Sequence, residues 1–120
     1  LQPQINDSGE KWYGFSLYFE TPQSGGIWRG TNGVIGQWHP SNSTGSSSLA
    51  LWAYGDGDVL VGTNPKGERG ATMNQTNAAY TANQWHDVVY HVNWSTGLVQ
   101  VWWDGVKIFD KNVGSFTGQY

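Results

Sequence analysis

Few side chains in this chain are equipped for chemistry. Cysteine is absent, and the 120 residues hold 3 His, 9 acidic and 6 basic residues. The pair with the most suggestive spacing is Gln37 and His39, in the segment GVIGQWH that Pro40 stops. Residues two apart on a strand share a face. Gln37 and His39 therefore point one way with Ile35 below them, and Trp38 points the other way with Val34. Burying an unpaired imidazole or amide costs on the order of 1–3 kcal/mol. That face is thus either the ordinary solvated side of a sheet or a polar cleft.

The other candidates are weaker. His86 and His91 lie five apart in WHDVVYHVNW, so they point to opposite faces and cannot share a metal from one regular strand. His91 shares its face with Asp87, Val89 and Asn93, and His86 with Val88, Tyr90, Val92 and Trp94, which favours satisfied structural roles for both. Asp56 and Asp58 flank Gly57; two carboxylates fall short of the roughly 6–8 oxygens that Ca²⁺ takes, so a turn is preferred and no cofactor is expected. No strand alternates acids as a retaining glycosidase would need, with carboxylates about 5–5.5 Å apart. The serines lack the nucleophile-elbow pattern, and no glycine pair is followed by the Lys-Ser/Thr of a phosphate loop.

The 8 Trp carry a second kind of chemistry, because an exposed ring is a platform for the apolar face of a sugar. Some must be core, since a small sandwich gains much of its stability from large buried rings. Trp102 and Trp103 are adjacent, so one faces in and the other out. Trp103, with Trp52 and Tyr54 on a shared face, are the expected carbohydrate-binding residues.

The elements that position these groups are strands. Lys11 to Glu20 alternates Tyr13, Phe15, Leu17 and Phe19 on one face. Gly33 to His39, Ser48 to Tyr54, Asp58 to Gly62, Trp85 to Trp94, Leu98 to Asp104 and Val106 to Asp110 follow, with Asp104-Gly105 as a hairpin turn signal. Between them, Thr21 to Asn32 and Ser41 to Ser48 read as loops. Thr63 to Asn83 is the least regular stretch, with a short strand expected near Ala71 to Asn74 and a helical turn near Ala78 to Ala82. The expected fold is all-β, an antiparallel sandwich or jelly roll of the concanavalin A-like kind, in one domain over 1–120.

Composition excludes several classes. Charged residues are 12% and net charge is −3. Six scattered cations make no basic stripe, so nucleic acid is not an expected partner. No stretch approaches the ~20 apolar residues of a membrane span, so no membrane is expected either. Cysteine-based scaffolds, zinc sites and nucleophiles are ruled out. The chain opens on Leu-Gln-Pro-Gln without a signal peptide and reads as processed or partial. Sequons stand at Asn6, Asn42, Asn74 and Asn93; Asn42 and Asn74 read as loop positions open to glycan, and Asn93 falls in a strand.

Taken in order, KWYGFSLYFE, GVIGQWH, LALW and WHDVVYHVNWSTGLVQVWWDGVKIF resemble the middle of polysaccharide lyases of the heparin-lyase-I-like and glucuronan-lyase-like type. Jelly-roll alginate lyases are more distant relatives. The resemblance implies β-elimination on a uronic-acid-containing polysaccharide. The Gln-x-His motif of the family falls on Gln37 and His39. Gln37 would bond the uronate carboxylate and bear charge after C5 proton loss, and His39 would act as general base. The family's leaving-group Tyr and its early-strand basic residue find no match in Tyr120, Arg29 or Arg69. Terminal strands missing from a jelly roll would leave edges open to a second copy or a strand-complementing chain. The other readings on the same fold are a non-catalytic carbohydrate-binding or adhesive module, and a structural subunit of a fibre or virion. The expected location is secreted, extracellular or on a virion surface.

Overall fold

The period-two pattern of the sequence becomes eight strands packed as two sheets. The structure, a computed structural model, describes residues 9–20, 32–39, 47–67 and 70–116. In chain order the strands are β1 (Glu10–Tyr18), β2 (Gly33–Trp38), β3 (Leu49–Ala53), β4 (Asp58–Thr63), β5 (Thr72–Ala79), β6 (Trp85–Asn93), β7 (Leu98–Trp103) and β8 (Val106–Asn112). One sheet runs β1-β6-β7-β8 and the other β2-β3-β4-β5. Every pairing is antiparallel. The fold is therefore an all-β antiparallel sandwich, as the alternation predicts, and no helix occurs among the described residues.

The core lies between the sheets. Leu49, Leu51, Ala53, Val59 and Val61 come from the second sheet and Val88, Tyr90, Val92, Val99, Val101 and Trp103 from the first. Tyr13, Phe15, Leu17 and Phe19 of β1 and its extension close one side, on the face their alternation assigns them. The β7–β8 hairpin turns on Asp104 (φ 49) and Gly105 (φ 80), two consecutive left-handed residues, as a two-residue hairpin with the right twist demands.

Two segments depart from the sequence reading. Residues 72–79 form one strand, with no helical turn near Ala78 to Ala82. TMNQTNAA has no apolar alternation, and polar side chains reinforce its backbone ladder to β4. Asn74 Nδ2 donates to Val61 O at 2.9 Å, Gln75 Nε2 to Asp58 Oδ2 at 2.6 Å, and Thr76 Oγ1 to Val59 O. A bulge absorbs the extra residues between Gln75 and Ala79. The sequon asparagine Asn74 is thus a strand residue whose amide nitrogen also donates to Thr72 O, not a loop position open to glycan. Asn6 and Asn42 lie outside the described residues.

The second departure is in β2. The register slips between Val34 and Gly36, which pair with Trp52 and Leu51. The bulge puts Ile35 against the core beside Trp38 and leaves Val34 exposed. Ile35 is therefore not below Gln37, because an inserted residue reverses the facing of everything before it. Gly36 also faces inward: a Cβ there would stand 3.2 Å from Phe15 Cζ.

Candidate active site on the outer face of the second sheet

The bulge leaves Gln37 and His39 on the outer face of the second sheet, both exposed. Positions two apart on extended chain lie about 7 Å from each other, so one bound sugar unit can touch both. Pairing fixes what lies next to them. Gln37 stands opposite Ala50, Ala50 opposite Gly62, and Gly62 opposite Met73. One step beyond the last β2–β3 pair, the Ser48 amide donates to Trp38 O at 2.8 Å, and Asn64 N–H donates to Ser48 O at 2.8 Å. Ser48, Ala50, Gly62 and Asn64 are all buried. The positions beside the exposed amide and the exposed imidazole are thus small residues that are themselves covered.

Gln37 also lines a groove of about 600 Å³ between β1 and β2, the edge strands where the two sheets open. That volume lies in the usual range for small-ligand clefts. Phe15 and Gly36 form its apolar side, and Trp12 and Trp38 its aromatic ends.

Two buried polar atoms belong to this face. Ser48 Oγ and Trp52 Nε1 have no hydrogen-bond partner among the described residues. The Trp52 indole lies down across Gly62, where a Cβ would meet Nε1 at 3.0 Å and Met73 Sδ at 3.4 Å. Trp52 is half-buried in this pose, and Tyr54 follows it on the same face, beyond inward-facing Ala53. Trp103 does not reach any outer face. It is 5% exposed and stacks on His86 at 4.8 Å, so it is a core ring and not a sugar platform. Its neighbour Trp102 takes the outward position, stacked with Trp12.

The other two histidines are structural. His86 is buried; its Nε2 accepts from Thr81 N–H at 2.8 Å, which puts the proton on Nδ1, and Nδ1 donates to Asp104 Oδ2 at 2.7 Å. His91, on the opposite face, lies between Gln100 Oε1 and Glu10 Oε1 under the Trp12 ring. Asp56 Oδ1 accepts the Asp58 amide at 3.0 Å, a side-chain-closed turn around Gly57 (φ 103). Among the described residues no three His, Cys, Asp or Glu are grouped to hold a metal ion. Arg29, Arg69 and Tyr120 lie outside the described residues. Sequence reasoning passed over Trp12, Tyr18 and Trp85 as surface residues. The signal was present in β1, where Trp12 and Tyr18 have the parity opposite to the core stripe.

Comparison with known proteins adds a family. A sequence model described as polysaccharide lyase matches residues 2–119. Among solved structures, the crystal structure of an endo-β-1,4-glucuronan lyase from the fungus Trichoderma reesei superposes with a TM-score of 0.68 at 20% identity. The match covers 92% of this chain and 51% of that one, so the chain spans about half the length of that lyase. No curated protein matches significantly.

Proposed function

Because the chain belongs to the polysaccharide lyase family, we propose that it acts on a uronic-acid-containing polysaccharide by β-elimination at Gln37 and His39. The observation that carries this reading is the placement of an exposed amide and an exposed imidazole two positions apart on the outer face of the second sheet.

The chemistry follows from what those groups can do. The Gln37 amide donates to the uronate carboxylate and stabilises the negative charge that grows on it as C5 loses its proton. His39 Nδ1 or Nε2, unprotonated, accepts that proton. The electron pair of the C5–H bond becomes the C4=C5 double bond, and the C4–O4 bond breaks. O4 then needs a proton. Tyr54, the tyrosine among the described residues on this face, stands four positions along β3 from Ala50, roughly 13 Å away. Protonation of O4 therefore falls to solvent or to a group outside the described residues. A polymeric uronate is an extracellular substrate, and secretion is part of the same proposal.

The test is the absorbance of the unsaturated uronate when glucuronan, alginate or heparin is added. His39→Ala and Gln37→Glu are expected to abolish it without lowering stability, because both side chains are exposed. Gln37→Glu places a carboxylate against the substrate's own and should weaken binding as well. A wild-type protein that yields no unsaturated product from any of the three polymers refutes the elimination reading. Uronate binding without product, surviving His39→Ala, supports a non-catalytic carbohydrate-binding module.

A further inference from the structure

The outer face of the first sheet carries an arrangement that the elimination chemistry does not use. β1 and β6 pair so that Trp12 stands opposite His91, Gly14 opposite Val89, Ser16 opposite Asp87 and Tyr18 opposite Trp85. At one end Trp12 is 61% exposed. One face of its indole lies on the His91 ring at 4.2 Å and 13°, and Trp102 stacks beside it at 5.6 Å. At the other end Trp85 is 67% exposed and Tyr18 44%, with their rings 5.4 Å apart. Six residues of strand separate Trp12 from Tyr18, about 20 Å.

Between these two aromatic ends the surface drops and turns polar. Gly14 has no side chain, and a Cβ there would meet nothing closer than Val88 O at 3.9 Å. Ser16 Oγ donates to Asp87 Oδ1 at 2.6 Å, leaving the second oxygen of an exposed carboxylate without a side-chain partner among the described residues. A protein interface concentrates apolar area at its centre and depletes charge there. Here the centre holds a carboxylate and a hydroxyl beside exposed Val89, and the most exposed rings, Trp12 and Trp85, lie at the two ends.

We propose that this face is a second carbohydrate-binding surface, separate from Gln37 and His39, for a neutral β-linked glycan chain. Pyranose rings with equatorial substituents present flat C–H faces that rest on Trp and Tyr rings, while their hydroxyls bond carboxylates and amides. Trp12 and Trp85 are the two ring platforms, spaced for a chain of several sugars. Asp87 lies under the sugars between them. Charge decides the class of glycan. Asp87, Glu10 and Asp110 are carboxylates on this face; Glu10 already holds His91, and Asp110 holds Gln100 and Lys107, so the face stays net negative. A uronate polymer would meet repulsion where a neutral chain meets acceptors.

The experiment titrates the full chain with cellohexaose as the neutral probe and with oligoglucuronate as the acidic one. Binding is followed by calorimetry and by the indole N–H resonances. Cellohexaose is expected to shift the Trp85 and Trp12 indole signals, and Trp85→Ala to weaken its binding by about tenfold or more. Tyr18→Ala serves as a second variant at the same end. His39→Ala should leave cellohexaose binding unchanged, which keeps this site distinguishable from the elimination site. The proposal is overturned if cellohexaose shifts neither indole, or if Trp85→Ala and Tyr18→Ala both leave its affinity intact. It is equally overturned if oligoglucuronate binds this face as well as cellohexaose does, or if Trp85→Ala abolishes a concentration-dependent dimer instead, which would make a second copy the occupant.

Discussion

Asp104→Asn separates charge from backbone at the β7–β8 turn. The position has φ 49, a left-handed conformation that Asn adopts as readily as Asp, so the hairpin survives the change. What it removes is a carboxylate with two donors aimed at it. Oδ2 accepts from His86 Nδ1–H at 2.7 Å and Oδ1 from the Asp87 amide at 2.8 Å. A carboxamide has one oxygen for these two donors, and its NH₂ would face the other. His86 is 2% exposed and cannot turn away, because Thr81 N–H holds Nε2 and Trp103 stacks on the ring. Leaving a buried donor unmet costs about 1–3 kcal/mol. The Asp104 side chain is 44% exposed, so solvent relieves part of this and the expected loss is about 1–2 kcal/mol. For a domain of this size that lowers Tm by roughly 4–8 °C.

The pH dependence has a definite sign. Burial works against the Asp104 charge, but hydrogen bonds from His86 and from the Asp87 amide, with the pull of the His86 ring, outweigh it and hold the carboxyl below its usual range. A group whose folded pKa is depressed stabilises the fold above the unfolded value and loses that contribution as pH falls through the folded one. The difference between wild type and Asp104→Asn should be full at pH 7 and shrink on acidification below about pH 4. Urea melts followed by Trp fluorescence at both pH values read it directly. Asp110→Asn is the control, since that carboxyl is also held low, by Lys107 and Gln100, but its ion-pair partner is an exposed ammonium and not a buried imidazole; it should change stability little. A gap under about 0.5 kcal/mol at pH 7, where surface changes fall, or one of equal size at pH 3, refutes the clamp.

Two further changes test the packing. Gly97 has φ 85, and a Cβ would fall 2.0 Å from Gly114 O, in backbone that the Val113 N–H to Gly97 O bond holds at 2.9 Å. Gly97→Ala should cost about 3 kcal/mol or more in a urea melt, and a loss below 1 kcal/mol would contradict the close approach. Tyr90 is fully buried with its hydroxyl unpartnered, and burial pushes its pKa up. Tyr90→Phe should therefore hold or raise stability by up to about 1 kcal/mol; a clear loss would mean that the hydroxyl has a partner.

The sequence made the fold legible where one face of a strand is apolar. Tyr13, Phe15, Leu17 and Phe19, and then Val88, Tyr90 and Val92, lie inward as their parity says. It hid the fold where a strand has no apolar alternation and side-chain amides reinforce its ladder, as in β5, and where one inserted residue reverses a face, as at Ile35. Gln37 and His39 were legible as a pair because the bulge lies before both of them. Trp103 was misread although the signal was there: it shares parity with Val99 and Val101, both fully buried, which assigns it to the core and Trp102 to the surface.

The distribution of the tryptophans bears on how the molecule handles sugars. Trp38, Trp94 and Trp103 pack in or against the core, and Trp52 lies down over Gly62. Among the described residues Trp12, Trp85 and Trp102 remain, and all three stand on the outer face of the first sheet; Trp28 lies outside the described residues. These exposed rings are therefore carried by the sheet opposite the one that carries Gln37 and His39, with Trp12 reaching the groove that Gln37 also lines. In the proposed elimination a uronate chain is gripped through its carboxylate by the Gln37 amide. A neutral chain has no charge to grip and needs rings. The two faces sit back to back across the core, so substitutions on one should leave the other's binding additive within about 0.5 kcal/mol. Coupling larger than that between Trp85→Ala and His39→Ala would show that one polymer runs over both faces.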